Sequence, residues 1–329
     1  MILPQPNLLH IATRLASPKL TLAGFALLGA AAIAVYQLGD SAAAWLAGPL
    51  LLLAVNLIGA VASNGVFRRQ LPLLVFHLAL IALVLLAAIS RLTYLKGAAD
   101  VTEGTAFGGL WRQVAGPLHP DRLNEVQFIN EGFDISYKPG PLRDLTLNRV
   151  RWIADDGRER VEQIADNRPL VSHGYRFYPS SNKGFAPVLL WLPKEGVPVL
   201  GAVHLPSFPV NRFTQSRDWR PAGAKSDIWI MLDVPEDLIP ADRASRFNAP
   251  QQYPLVLRRG DLRREMRPGE RVSLPDGDVE YRELRTWMGY SVFYDWTLPW
   301  MLSACVVAVL SMGAHFWNKF AAKPWNREN

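Results

Sequence analysis

Four stretches of the chain contain no Lys, Arg, Asp or Glu: roughly residues 20–38, 43–67, 71–90 and 297–317. Crossing ~30 Å of hydrocarbon as a helix takes about 20 apolar residues, and each stretch suffices. A charge at mid-bilayer costs roughly 2.5–3.5 kcal/mol on insertion scales, so its absence from all four is itself a signal. Between the third and fourth stretches the helical period fades. Val126, Phe128, Phe133, Ile135 and Tyr137 fall in alternating apolar and polar runs, and Tyr137-Lys-Pro-Gly-Pro141 breaks the run. Asp155-Asp-Gly157, Lys194-Glu-Gly196 and Asp276-Gly277 separate further apolar runs as hairpin turns. Residues 188–192 and 197–205 read as neighbouring strands, as do 255–257 and 279–284. Residues 241–254 show no pattern and read as a loop or short helices.

This pattern predicts an integral membrane protein with four transmembrane α-helices, three N-terminal and one C-terminal, and a large β-rich extracytoplasmic domain. The expected divisions are a cytoplasmic segment 1–19, three spans within 20–95, the outer domain 96–296, a fourth span 297–317 and a cytoplasmic tail 318–329. Many short strands punctuated by Pro and Gly suggest a sandwich-like or barrel-like domain. About 190 residues can bury a core without disulfides. In residues 7–15, Leu8, Leu9, Ile11, Ala12 and Leu15 gather on one face near Arg14. That is the pattern of a short interfacial helix, or of an ordinary tail entering the membrane. A cleaved signal peptide fits the first stretch less well, since some 19 residues precede it and two more spans follow at once.

Charge adds sidedness. The chain of 329 residues has a net charge of +6 and a mean hydropathy of +0.06. Residues 1–96 carry six Lys/Arg and one acid, Asp40, whereas the middle of the chain is nearly balanced. A basic excess beside apolar runs argues against a nucleic-acid binder. Arg14 and Lys19 precede span one, Arg68 and Arg69 join spans two and three, and Lys319, Lys323 and Arg327 follow span four. The positive-inside rule then puts both termini in the cytoplasm and the β-rich domain outside, with Arg91 and Lys96 as exceptions. One cysteine, Cys305, excludes a disulfide framework, a CxxC redox centre, a multi-Cys zinc site and a CxxCH haem-attachment motif.

Among six histidines, His10 reads as a surface residue of the N-terminal segment. His119, His173 and His204 lie in the outer domain without metal-ligand spacing and read as surface or structural residues. No GxSxG, Walker or GxGxxG motif occurs. His77 differs, because it stands within Leu71-Pro-Leu-Leu-Val-Phe-His-Leu-Ala-Leu80, ~12 Å along a helix from Arg69. A polar ring in that setting must find a partner or face the bundle interior. Two readings stand open: an axial ligand to iron, for which neutral imidazole is suited, or a structural hydrogen bond to a neighbouring helix, with Asn56 as the candidate partner. His315, in His-Phe-Trp-Asn-Lys319, reads as an interface residue, with a haem between it and His77 as the sharper alternative. The aromatic run Trp287-Met-Gly-Tyr290 to Trp300 reads as an outer aromatic belt, or as a platform for a flat macrocycle.

Several motifs in order resemble those of the ResB-like proteins of System II cytochrome c maturation. They are Val75-Phe-His-Leu78; Lys96-Gly97 followed by Thr102-Glu-Gly104; Phe133-Asp-Ile-Ser-Tyr-Lys-Pro-Gly140; Asp166-Asn-Arg-Pro-Leu170 followed by Gly174-Tyr-Arg-Phe-Tyr178; and Asn56-Leu57. The resemblance implies a subunit in the bacterial inner membrane beside a ResC/CcsA-type integral protein. That pair would conduct haem across the membrane and present it to apocytochrome c. It implies His77 as the haem axial ligand, with the opposing histidine and the Trp-rich haem-presenting loop supplied by the partner. The chain would then be a non-autonomous subunit of a haem-handling, cytochrome c synthase complex. A structural scaffold that binds no haem, and a membrane-anchored binding or sensor module, are the alternatives.

Overall fold

The computed structural model describes residues 8–154, 156–234, 238–247 and 253–321, with side chains from residue 12 onward except that of Arg68. The expected tail beyond residue 321, with Lys323 and Arg327, and the first seven residues lie outside that range. The chain divides into a helical unit (residues 1–96, 114–120 and 294–329) and a β unit (97–113 and 121–293).

The helical unit begins with α1 (Leu8–Leu15) and α2 (Pro18–Leu38). Proline opens α2, where its fixed φ suits the first turn and its missing N–H is not needed. Gly39, at φ 75°, ends α2 in a conformation that favours glycine. A 3₁₀ segment over Asp40–Leu46 leads into α3 (Ala47–Ser63), so the second crossing starts earlier than residue 43. It also stops earlier than residue 67. Asn64 leaves helical geometry at φ −102° and ψ 112°, and its Oδ1 accepts the Val66 N–H at 3.0 Å, starting the four-residue α4 (Val66–Arg69). Phe67 therefore belongs to a separate turn and not to the second span. The last two helices are α5 (Leu71–Thr93) and α6 (Leu298–Ala321). Four helical segments are long and apolar enough to cross a membrane: Pro18–Leu38, Asp40–Ser63, Leu71–Thr93 and Leu298–Ala321.

Polar side chains hold these helices at particular points. Asn56, buried in the middle of α3, donates from Nδ2 to the Leu15 and Ser17 carbonyls at 2.7 and 3.1 Å. Its Oδ1 accepts from Thr21 Oγ1 at 2.8 Å. One side chain thus bonds the Leu15 carbonyl at the end of α1 and, beside the Leu20 N–H, the Ser17 carbonyl at the start of α2. Gly59, one turn on, lets α1 approach: a Cβ there would stand 2.8 Å from Leu15 Cβ. The helix predicted near residues 7–15 forms and packs on α3. At the other end, Ser90 Oγ donates to Asp295 Oδ2 at 2.8 Å, and Asp295 Oδ1 accepts from Thr297 just before α6. Helix α5 packs against α3 on one side and α6 on another.

The β unit contains three sheets. The largest runs β2 (Arg112–Ala115), β1 (Leu95–Thr102), β15 (Gly277–Tyr294), β7 (Tyr175–Pro193), β6 (Leu170–Ser172), with β14 (Arg271–Leu274) on β15 and β8 (Val199–Ala202) on β7. A second runs β13 (Leu262–Met266), β12 (Leu255–Arg259), β10 (Ile228–Leu232), β9 (Ser216–Trp219). The third runs β11 (Ser245–Arg246), β3 (Phe128–Tyr137), β4 (Arg143–Ile153), β5 (Glu159–Ala165). The expected neighbours at 188–192 and 197–205 pair, with Val188 opposite Ala202. The expected pairing of 255–257 with 279–284 does not occur. Residues 262–266 and 271–274 intervene as partners of β12 and β15 respectively, which leaves the two segments in different sheets. A short strand, β11, forms within the patternless 241–254.

In β3 the buried positions run 128, 130, 132 and then 135, 137. The register shift between Asn130 and Phe133 changes their parity, as a bulge must when one extra residue enters a period-two pattern. Gly277 opens β15 where no side chain fits, since a Cβ would stand 2.5 Å from the Leu192 carbonyl oxygen. The aromatic and branched side chains Trp191, Tyr175, Phe177, Phe185, Ile135, Ile164 and Leu189 form its dry interior.

Candidate functional site

His77 occupies the second turn of α5 and is half-buried. Its Nδ1 lies 2.8 Å from the carbonyl oxygen of Leu73, one turn earlier on the same helix. A carbonyl only accepts, so Nδ1 carries the proton and donates. The neutral ring therefore keeps its lone pair on Nε2, the nitrogen a metal would take. Two phenyl rings frame the imidazole: Phe67 at 4.5 Å between centroids and Phe76 at 5.3 Å, nearly perpendicular. Asn56, the expected structural partner, is instead fully engaged with α1 and α2. The hydrogen bond of His77 is internal to its helix and ties no helices together. Phe67 is a site residue that the sequence pattern had absorbed into the second span. The Asn64-Gly65 pair was the available sign that the helix breaks before it.

His315 lies near the end of α6, half-buried, with its ring 5.6 Å from Phe316. From the contact between Ser90 and Asp295, α5 and α6 run away side by side. At ~1.5 Å per residue, His77 lies ~20 Å along α5 and His315 ~26 Å along α6, about one turn further.

His119, His173 and His204 have defined roles, while the side chain of His10 lies outside the described residues. His119, in the segment that returns to the helical unit, donates from Nδ1 to the Thr93 carbonyl at 2.9 Å and meets Tyr294 edge-on at 4.8 Å. His173 and Gly174, both at positive φ, form the two-residue turn between β6 and β7. His204 stacks on Trp287 at 5.2 Å with its Nε2 2.7 Å from Thr102 Oγ1. Burial, with Arg217 nearby, lowers its pKa to about 4, so the ring is neutral at pH 7. Among the described residues, no group of three His, Cys, Asp or Glu could hold a metal ion.

One of the motifs that prompted the resemblance, Thr102-Glu-Gly104, adjoins a buried polar network in the β unit. Tyr290 donates to Asn148 Oδ1 at 2.7 Å. Asn148 Nδ2 donates to Asn130 Oδ1 and to the Gly132 carbonyl, both at 2.8 Å. Asn130 Nδ2 donates to the Val101 carbonyl at 2.9 Å. Glu103 and Gly104 follow in chain order, with the Glu103 carboxylate accepting from Thr286 Oγ1 at 2.7 Å. These bonds join β1, β3, β4 and β15, hence two sheets. Each amide is satisfied, which identifies the network as architecture. Asn130 and Asn148 had a visible signal, two amides inside strand-like runs, that periodicity alone did not weigh.

Residues 59–207 match the model of the ResB-like family, a range that takes in His77, Glu103, Asn130 and Asn148 but not Thr286 or Tyr290. No curated protein matches the chain. The match covers somewhat less than half of the chain, and the family it points to is linked with cytochrome c biogenesis in general.

Proposed function

We propose that the chain is the membrane subunit of a cytochrome c maturation complex that holds haem in transit, with His77 as an axial ligand. The observation that carries this reading is the fixed tautomer of His77: Nδ1 is committed to Leu73, which leaves Nε2 as a donor atom in an apolar helix. A structural histidine in such a helix would be expected to bond across helices, and this one does not. The framing phenyl rings of Phe67 and Phe76 restrict imidazole rotation and offer flat apolar surface beside it. In this reading haem is cargo, and a ResC/CcsA-type partner contributes the opposing ligand. The two histidines of α5 and α6 stand about one turn apart in level, so His315 is assigned to the interface belt beside Phe316 and Trp317.

The charge asymmetry supports a bacterial inner-membrane location, with both termini cytoplasmic and the β unit periplasmic. The β unit would then dock on the partner and on apocytochrome c.

The test is an optical spectrum of the protein purified with its partner. Wild type is expected to show a Soret band of bis-imidazole character. His77→Ala should lose most of it, and added imidazole should restore part. Unchanged haem content in a well-expressed His77→Ala complex would turn the reading to a haem-free scaffold.

A further inference from the structure

Outside that site, the β unit contains a hairpin whose two arms do not pair. Strands β13 and β14 follow one another in the chain, joined by residues 267–270. Neighbouring strands on so short a connection usually bond to each other. Here β13 bonds only to β12 and β14 only to β15, so the two arms belong to different sheets. A groove of about 510 Å³ lies between them, lined by Leu262, Arg264 and Glu265 on one side and Arg271, Val272 and Ser273 on the other.

The register tells which backbone groups face this groove. The turn from β12 to β13 is the two-residue Gly260-Asp261, with Gly260 at φ 58° and Arg259 opposite Leu262. A turn of that length makes its flanking residues a hydrogen-bonded pair, and bonded and non-bonded pairs then alternate. Leu262, Arg264 and Met266 therefore bond inward to β12, while the N–H and C=O of Arg263 and Glu265 point away from it. On β14, the Glu270 carbonyl accepts from the Tyr281 N–H at 3.0 Å, which sets Glu270 and Val272 inward and Arg271 and Ser273 outward. Among the described residues, none of these outward groups has a protein partner. The arms thus present two rows of alternating donors and acceptors to one groove. A third strand is the complement, because it carries the same groups on both of its edges. A compact metabolite matches neither row.

The rim adds a charge preference. Arg271 is engaged by Glu280 at 2.9 Å, and Glu270 Oε2 accepts from the Arg267 N–H. Arg263, Arg264 and Glu265 are exposed and, among the described residues, have no ion-pair partner. Two free cations against one free anion favour an acidic segment, and exposed charges deter indiscriminate pairing at this edge.

We propose that the groove is a docking slot for an extended, acidic segment of a partner protein, which enters as a strand between β13 and β14. The proposal rests on neither haem nor His77.

The test uses the full chain in detergent and ¹⁹F NMR line broadening of trifluoroacetyl-Thr-Val-Glu-Val-Thr-amide, a peptide as long as β13. Wild type should bind it in the millimolar range. The same peptide with lysine in place of glutamate should bind at least threefold more weakly. N-methylation at the glutamate, or instead at the valine after it, should weaken binding at least fivefold in each case, because successive residues of an inserted strand bond to opposite arms. Glu265→Pro and Ser273→Pro each delete one outward N–H and leave the bonds to β12 and β15 in place. Each should weaken binding at least fivefold with the β unit still folded.

Loss from only one of the two N-methylated peptides means addition to a single edge and overturns the slot. Loss from neither overturns strand pairing. Equal binding of the lysine and glutamate peptides overturns the acidic partner. No binding of any peptide, or unchanged binding in folded Glu265→Pro and Ser273→Pro, overturns the site. Self-association of wild type that Glu265→Pro abolishes overturns the partner in favour of a second copy of this chain. The peptide comparisons decide even if a proline variant fails to fold. Loss of haem in His77→Ala leaves all of these outcomes unchanged.

Discussion

The two units treat buried polar atoms differently. In the helical unit, buried Asn56, Ser90, Thr297 and Ser311 each have partners at hydrogen-bond distance. In the β unit, Tyr137 Oη, Trp152 Nε1, Trp191 Nε1, Gln215 Oε1, Ser245 Oγ and Tyr281 Oη are all buried without one. The difference suits the setting proposed above, helices in hydrocarbon and sheets in water. Hydrocarbon offers nothing to an unpaired donor or acceptor, so a spanning segment must settle every group internally. A domain in water can leave a few groups to solvent or ligand. A polar atom left open in the helical unit is therefore the rarer event, which is why His77 Nε2 weighs more than any single orphan in the β unit.

The largest effect is expected where the β unit does pair its charges. Asp276, in the turn between β14 and β15, accepts from both terminal nitrogens of Arg259 on β12 and from the Lys225 N–H at 2.7 Å. Asp276 is buried and Arg259 half-buried, and the hydrogen bonds to Arg259 hold the Asp276 carboxyl well below the usual carboxylate range. Asp276→Ala leaves the half-buried guanidinium of Arg259 with Ser226 Oγ and no carboxylate, and should cost about 2–3 kcal/mol, read as lost resistance of the β unit to urea. In the wild type, a depressed folded pKa means stability that is present above the ordinary carboxylate pKa and fades as pH falls toward the folded value. Asp276→Ala should lose that acid dependence together with the stability. A variant as stable as wild type would remove the contrast between paired and orphaned groups in this unit.

That pair also shows where the sequence was legible. The Asp276-Gly277 turn was readable from composition, since the turn breaks two apolar runs. Its link to Arg259 and Lys225 was not, because it joins residues 17 and 51 positions away, from another sheet and a loop. The four spans were legible to within a few residues, because hydrocarbon imposes a length and forbids charge. The break at Asn64 was not weighed, and it decides where Phe67 stands. His77 was legible as an isolated polar residue. The atom it presents was not, because the tautomer depends on an intrahelical carbonyl. In the β unit, strand existence could be read but partnership could not. Residues 255–257 and 279–284 look alike in pattern and part company only because strands fold between them.

A second effect probes the helical side. Asn56→Leu keeps the branched shape but removes the bonds to the Leu15 and Ser17 carbonyls and from Thr21 Oγ1, while the Ser17 carbonyl keeps the Leu20 N–H. Three hydrogen bonds between helices at somewhat under 1 kcal/mol each give a loss of about 2 kcal/mol. Unfolding of the protein in mixed micelles measures it, and protease cleavage near residues 15–17 should accelerate as α1 detaches. If α1 stays docked and stability is unchanged, the rule that this unit must settle its polar groups is weaker than argued.

Lys183 sharpens the comparison from the β side. It is 2% exposed, and its ammonium lies 5.5 Å from the centre of the Tyr137 ring. Burial, reinforced by Arg143, lowers its pKa to about 8 from 10.5. Between those values the unfolded chain binds more protons, so stability rises with pH across the window and the full penalty applies below about pH 8. A shift of this size corresponds to about 3 kcal/mol, part of which the Tyr137 face returns. Lys183→Met should therefore stabilise the β unit by about 1–2 kcal/mol at pH 7 and flatten the alkaline rise. Thermal unfolding between pH 7 and 10.5 reads both. A destabilised variant that keeps the wild-type slope would show that the amine is held by partners and not merely tolerated.

The smallest effect concerns the outward side of the helical unit. Cys305 is exposed on α6 and is the chain's one thiol, so no intramolecular disulfide depends on it. Hydroxyls on this helix already bond back to their own backbone: Ser303 Oγ to the Pro299 carbonyl at 2.9 Å and Ser311 Oγ to the Val307 carbonyl at 2.7 Å. A serine at position 305 can do the same with residue 301, settling its hydroxyl within the helix as the rest of the unit does. Cys305→Ser should accordingly shift stability by less than about 0.5 kcal/mol and leave cytochrome c maturation near wild type. Full loss of maturation in a well-expressed Cys305→Ser protein would mean that the exposed face of α6 carries a thiol-dependent contact. The contrast between a self-contained helical unit and a β unit open to outside partners would then fail on the helical side.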